Sequence, residues 1–180
     1  MDITITQWLN GMAGHWAAVD GIMIAVTKFG VPLMVLAVIL QWWGKTPREN
    51  LRQTTIMAGL SFLIGLGIAQ IILLFVHRIR PYDAGISHLI IERTADWSFP
   101  SDHAIASTSI AFAFLFNGFR KHSLAYFAAA LLVCLSRVYV GMHYASDILG
   151  GAGVALLTAF LVTKLYPRRS RLDRWLISLL

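Results

Sequence analysis

The feature that most limits how this chain can fold is a series of apolar runs, each comparable in length to the thickness of a bilayer. A spanning helix needs about 20 predominantly apolar residues, and on that measure the sequence offers residues 22–43, 54–76, 103–117, 123–140 and 148–165. The expected fold is all-α: a polytopic membrane helix bundle of about five transmembrane helices. With 57% hydrophobic and only 13% charged residues, and a mean hydropathy of +0.67, the composition lies outside the range of soluble domains. The third run is short, which predicts that its polar start at His103 lies within the membrane thickness but inside the protein. No repeat, linker or second domain interrupts the series.

Residues 3–18 carry Trp8, Leu9, Met12 and Trp16 at near-helical spacing among polar residues, the pattern of an interfacial helix. No lysine or arginine precedes Lys28, so the basic start of a cleaved signal peptide is missing and a retained N-terminus is expected. A net charge of +6 could suggest nucleic acid, but the bases sit in short clusters between apolar runs. Lys45, Arg48 and Arg52 follow the first run, Arg120 and Lys121 the third, and Lys164, Arg168, Arg169, Arg171 and Arg174 the fifth. That distribution predicts one cytoplasmic face bearing all three clusters, with no nucleic-acid partner. The opposite, extracytoplasmic face then receives the N-terminus, the 77–102 connection and the 137–147 turn. The lone Cys134, inside an apolar run, is expected to pack rather than react.

Most of the chemistry lies on that second face, in HRIRPYD, FPSDH and SRVYVGMHYASD. Ionisable groups at the ends of apolar runs are normally paired or functional, because an unpaired charge costs about 2.5–3.5 kcal/mol at a membrane helix centre. Arg80 and Arg137 offer planar donor forks suited to phosphate oxygens. Pro100 and Ser101 precede the third run, so the free N–H groups of Asp102 and His103 would point outward at a positive helix end. His143 and Asp147 are four apart, which lets the carboxylate hold one ring nitrogen protonated and leave the other as a nucleophile. His103 is then available as a proton donor. Together these types describe phosphoryl transfer through a phosphohistidine.

These motifs resemble those of the type 2 phosphatidic-acid phosphatase superfamily: Arg80-Pro81, then Pro100-Ser101-Asp102-His103, then Ser136-Arg137 through His143 to Asp147. The resemblance implies one membrane-embedded phosphatase domain over residues 1–180, with residues 1–20 as the interfacial helix and 166–180 as a basic cytoplasmic tail. It implies that His143 attacks phosphorus, that Asp147 orients it, and that His103 protonates the leaving oxygen and later activates water. Arg80, Ser101, Asp102 through its backbone N–H, and Arg137 would hold the phosphate without a metal or other cofactor. Two positions depart from the family pattern: Leu73 stands where a lysine is usual, and Asp102 where glycine is usual. Arg78 is the candidate to replace the missing lysine, and Arg78 or Arg93 the candidate partner for the Asp102 carboxylate.

The form FPSDH in a small five-span chain is similar to the bacitracin-resistance branch, whose members are undecaprenyl pyrophosphate phosphatases. That likeness implies hydrolysis of a polyprenyl diphosphate to the monophosphate on the extracytoplasmic face of a bacterial plasma membrane, recycling the lipid carrier of cell-wall synthesis. A broader lipid-phosphate phosphatase, acting on phosphatidic acid or phosphatidylglycerophosphate, or a lipid phosphotransferase would use the same residues. A lipid-phosphate transporter is the non-enzymatic alternative. The substrate lipid and membrane lipids are the expected partners, and no obligate protein partner is implied. His15, His77, His88 and His122 read as interfacial or internally satisfied, and Ser136 as packing. Gly150, Gly151 and Gly153 read as allowing close helix approach, and Gly141 as bringing His143 close to the phosphate.

Overall fold

The computed structural model describes residues 1–44, 48–168 and 170–178. Its helices are α1 (Asp2–Asn10), α2 (Ala17–Leu40), α3 (Arg48–Leu73), α4 (Asp102–Phe116), α5 (Arg120–Tyr139), α6 (Ala145–Leu165) and α7 (Arg171–Ser178), and the described residues contain no strand. Four of them, α2 with the 3-10 turn that extends it, α3, α5 and α6, are long and apolar enough to cross a membrane. All five expected spans therefore appear as helices, the third being α4. Its 15 residues reach only about 22 Å, short of the roughly 30 Å hydrocarbon core.

That short helix is the centre of the bundle. α3, α5 and α6 pack around it, and α2 lies against α5. A helix surrounded on all sides needs apolar or small residues on every face, and α4 supplies them: Ala104, Ile105, Ile110, Ala111 and Phe114 are buried. The outer helices turn Leu33, Leu63, Leu124 and Leu149 outward, which is stable only against lipid.

α1 differs from the expected interfacial helix over 3–18. It stops at Asn10, and a turn containing Gly14 at φ 84° leads to α2, whose N-cap is Trp16. Trp8 and Trp16 are exposed, as interfacial residues should be, but the other face of α1 is bolted to the protein. The Asn10 amide donates to the carbonyls of His88 and Tyr139, both at 2.8 Å, and accepts from the His88 N–H at 2.7 Å. α1 thereby clamps the 74–101 connection onto the turn between α5 and α6. The connection, almost without regular structure, is otherwise held by bonds such as Ser98 N–H to Arg78 carbonyl at 2.8 Å and Ser87 hydroxyl to Gly141 carbonyl at 2.8 Å.

The other end of the bundle gathers the basic clusters. Arg48 and Arg52 open α3, Arg120 and Lys121 open α5, Lys164 closes α6, and Arg171 and Arg174 lie on α7. Arg168 donates to Asn117, tying the end of α6 to the end of α4. Lys45 and Arg169 lie outside the described residues. Within the 166–180 tail, α7 is anchored rather than loose: Asp173 is buried and accepts from Gln53 Nε2 at 2.8 Å and Tyr166 Oη at 2.7 Å.

Candidate active site

The N-terminal ends of α4 and α6, the C-terminal end of α5 and the 74–101 connection meet at one end of the bundle, and His143 is buried among them. Its Nδ1 lies 2.8 Å from the Ser98 carbonyl oxygen. A carbonyl only accepts, so Nδ1 carries the proton and Nε2 keeps a free lone pair. Nε2 faces Arg80 Nη1 at 3.4 Å. Burial, with the nearby Arg137 and Arg80 cations working the same way, holds the imidazole down at about 4 against the pull of Asp147. The ring is therefore neutral at neutral pH, the form that can attack phosphorus.

Asp147 stands behind this histidine, fully buried, with Oδ2 3.6 Å from Nδ1. That is ion-pair range but too long for a hydrogen bond, so the direct orienting bond expected between the two is made by the Ser98 carbonyl instead. Asp147 acts one step back. Its Oδ2 accepts from the Ser98 hydroxyl at 2.5 Å and the Tyr144 N–H at 2.9 Å, and its Oδ1 from Arg78 at 2.6 Å.

The arginines divide in use. Arg80, buried, donates Nη1 to the Met142 carbonyl at 3.0 Å, and Nε and Nη2 to the Asp96 carbonyl and carboxylate at 3.0 and 2.8 Å. Asp96 is half-exposed at the rim; although burial works against ionisation, Thr94 and Arg80 hold its carboxyl below the usual range. Arg137, also buried, donates to the Thr27 hydroxyl at 3.3 Å, and its Nε has no partner. Arg78, expected at the phosphate, points elsewhere: its fork is occupied by Asp147 and Asp2, each at 2.6 Å, and its guanidinium lies over the Tyr144 ring at 3.9 Å. Arg93 is remote, exposed and paired with Asp83 at 3.2 Å. Neither Arg78 nor Arg93 bonds the Asp102 carboxylate, whose Oδ1 is buried without a partner among the described residues.

Ser101 is the N-cap of α4, and its buried hydroxyl also lacks a partner. The first-turn N–H groups of Asp102, His103 and Ala104 have no intrahelical acceptor. His103, in that turn, lies near the Thr27 backbone and within electrostatic range of Arg137, His143 and Arg80. The end of the bundle thus combines a neutral histidine with a free nitrogen, a second histidine, two buried arginines, a helix N-terminus and three buried polar atoms without partners, on Ser101, Asp102 and Arg137. Such atoms are rare unless a ligand satisfies them, and oriented donors of this kind suit phosphate. Among the described residues, no group of three or more His, Cys, Asp or Glu side chains is placed to hold a metal ion.

The sequence model of the PAP2 superfamily matches residues 54–171. The chain belongs to the PAP2 superfamily. It is 33% identical over 162 residues to the undecaprenyl-diphosphatase BcrC of Bacillus subtilis (strain 168), covering 89% of this chain and 82% of that one. It is 37% identical over 123 residues to the putative undecaprenyl-diphosphatase YbjG of Escherichia coli (strain K12), covering 67% of this chain and 59% of that one. The crystal structure of a transmembrane PAP2-type phosphatidylglycerolphosphate phosphatase from Bacillus subtilis shares the fold, with a TM-score of 0.66 at 22% identity over 94% of this chain and 86% of that chain. This PAP2 chain is accordingly a multi-pass membrane protein and a hydrolase, a lipid phosphatase.

Four residues of the PAP2 site escape sequence reading. Ser98 lies in the quoted SFPSDH stretch, but its role depends on its carbonyl, which no residue type reveals. Thr27 was legible only as a polar residue beside Lys28 in an apolar run, Asp96 only as an acid near Trp97. Asp2 lies far from every motif in the sequence and reaches the site because α1 docks on the connection and on the start of α6.

Proposed function

We propose that this chain hydrolyses a polyprenyl diphosphate, undecaprenyl diphosphate being the substrate that its relatives' names point to, through a phosphohistidine on His143 at the extracytoplasmic face of a bacterial plasma membrane. The observation that carries the reading is the His143 geometry: Nδ1 committed to the Ser98 carbonyl at 2.8 Å, Nε2 unprotonated and 3.4 Å from Arg80. The terminal phosphoryl group sits between Arg80, Arg137, Ser101 Oγ and the N–H groups of Asp102 and His103. Arg80 reaches it by exchanging Asp96 for phosphate.

The Nε2 lone pair attacks the terminal phosphorus. The bond from that phosphorus to the bridging oxygen breaks, and His103 gives the departing oxygen its proton, releasing polyprenyl monophosphate. His103, now neutral, takes a proton from water as the water oxygen attacks phosphorus. The N–P bond breaks, inorganic phosphate leaves, and both histidines return to their starting states. Arginines and helix-start dipoles stabilise the charge that develops on the phosphoryl oxygens. The face is supported by the basic clusters, which collect at the end opposite the site.

The test is phosphate release from undecaprenyl diphosphate by the purified protein in detergent with EDTA, alongside His143→Ala and substrate labelled in the terminal phosphate. Release by the intact protein together with an acid-labile labelled protein, both absent from His143→Ala, is the expected result. Release by the variant would overturn the phosphohistidine.

A further inference from the structure

We propose that Arg78 is a positioning residue that holds the Asp147–Ser98–His143 chain in register, and that α1, through Asp2, is part of the same device. This deepens the phosphohistidine reading and rests on it. The contacts run in one line. Asp2 accepts from Arg78 Nη2 at 2.6 Å; Arg78 Nη1 donates to Asp147 Oδ1 and to Ser146 Oγ, both at 2.6 Å. Asp147 Oδ2 accepts from the Ser98 hydroxyl at 2.5 Å, and the carbonyl of that same Ser98 takes the Nδ1 proton of His143 at 2.8 Å.

Each link has a reason. A carboxylate with no solvent exposure requires a cation or several donors to stay ionised, and among the described residues Arg78 supplies the cation bonded to Asp147. An ionised Asp147 pins the Ser98 side chain and the Tyr144 N–H together, which fixes where the Ser98 carbonyl points. The carbonyl fixes the tautomer and angle of His143. Asp2 keeps the arginine fork aimed: it also accepts from the Ser146 N–H at 2.9 Å and the Ser146 hydroxyl at 2.6 Å, tying α1 to the start of α6. Thr6 adds a bond from the Ala145 N–H at 3.1 Å. Phosphorylation of Nε2 with Nδ1 still protonated makes the ring cationic, and the Asp147 charge 3.6 Å away stabilises that intermediate.

The groups facing Asp147 are Arg78 and Ser98 from the connection, Asp2 from α1 through Arg78, His143 and Tyr144 from the turn, and Ser146 from α6; Arg80 and Arg137 act on His143 from the phosphate side. Removing the Arg78 charge loosens the Asp147–Ser98 contact that aims the His143 ring and takes a cation away from its neighbourhood, which makes the imidazole easier to protonate. That moves the acid limb of turnover toward neutrality. A residue that only supports folding would scale the profile without moving it, and a phosphate ligand would raise KM.

The experiment measures kcat and KM against pH for undecaprenyl diphosphate with the intact protein, Arg78→Gln, Arg78→Lys, Asp2→Asn and His143→Ala, each checked for folding by gel filtration and thermal unfolding. We expect Arg78→Gln to lose about 10- to 100-fold in kcat, to change KM little and to shift the acid limb upward. Arg78→Lys should restore the position of the limb and part of kcat, and Asp2→Asn should lose only about 2- to 5-fold. A KM rise at unchanged kcat and profile would make Arg78 a phosphate ligand and overturn the proposal, as would unaltered kinetics. Should Arg78→Gln not fold, Arg78→Lys decides: full kcat with a raised KM overturns the proposal, and reduced kcat at unchanged KM supports it. Activity in His143→Ala would instead overturn the phosphohistidine reading, whatever the Arg78 variants do.

Discussion

The two ends of the bundle each bury an aspartate, Asp147 at one and Asp173 at the other. Asp173 accepts from Gln53 and Tyr166, and its own N–H donates to the Ser170 hydroxyl at 3.0 Å. Those contacts fasten α7 to α3 and to the end of α6. Asp147 is equally well bonded, but its partners lead onward to a histidine with an unprotonated nitrogen, at the end of the bundle where Ser101, Asp102 and Arg137 carry buried polar atoms without partners among the described residues. A buried carboxylate therefore does not identify a site. What distinguishes the two ends is where the bonds lead: around Asp147 to a histidine with an unprotonated ring nitrogen, around Asp173 from helix to helix.

The largest effect that could break this contrast is at the nucleophile. His143→Ala should lower kcat at least about 10³-fold while the protein stays folded, as loss of a covalent nucleophile does; phosphate release and a thermal melt check both halves. The aspartates come next. Asp147→Asn should lose about 100-fold in kcat, because the Ser98 hydroxyl and Arg78 lose their ionised acceptor. Asp173→Asn should leave kcat of the folded protein within twofold or so and cost about 1–3 kcal/mol of stability, the penalty for weakening a buried polar network. In a domain of this size that is a fall in Tm of roughly 2–4 °C per kcal/mol. A large kcat loss in Asp173→Asn with an unchanged melt would erase the distinction between the ends.

The pH profile sharpens the contrast further. His143 is neutral in the folded protein down to about 4, below its ordinary value of about 6.5. Turnover should therefore hold from neutrality down to about that pH and fall tenfold per unit below it. The same depression destabilises the fold as pH drops, since the unfolded chain binds that proton between about 6.5 and about 4 and the folded one does not. A turnover limb near the ordinary histidine value would mean that water reaches the ring.

How much of this the sequence carried depends on which atoms do the work. The five helices were legible because apolar length is a property of residue types. The convergence of Arg80, Ser101, His103, Arg137, His143 and Asp147 on one end followed from their positions at span ends. Arg78, two residues from Arg80 in the connection, meets the carboxylates of Asp2 and Asp147 rather than the phosphate donors. Spacing along a chain gives direction only inside regular structure, and residues 74–101 have almost none. Gly141, expected to bring His143 close to the phosphate, lies in the seam between the turn and the connection, with a φ of 83° and the His88 carbonyl 2.4 Å from where a Cβ would stand.

The smallest effect separates two glycines that the sequence could not tell apart. A Cβ on Gly151 would stand 2.7 Å from the Ser101 carbonyl oxygen and 2.9 Å from the Ala104 side chain, whereas one on Gly153 would meet nothing within 4 Å. Both lie on α6, which carries Asp147, but only Gly151 faces the start of α4, which carries His103. A backbone carbonyl at the first turn of a central helix has little room to yield, so Gly151→Ala must push the two helix starts apart. Overpacking of that kind costs about 1–3 kcal/mol, and the displaced histidines should lower kcat by up to about tenfold. Gly153→Ala exchanges a flexible residue for a good helix former in open space and should raise stability by up to about 1 kcal/mol with kcat unchanged. Melts and turnover of the pair test whether the site end tolerates less displacement than the lipid-facing side of the same helix. Equal, small effects from both substitutions would mean that α4 and α6 can slide by a methyl group without disturbing the chemistry between them.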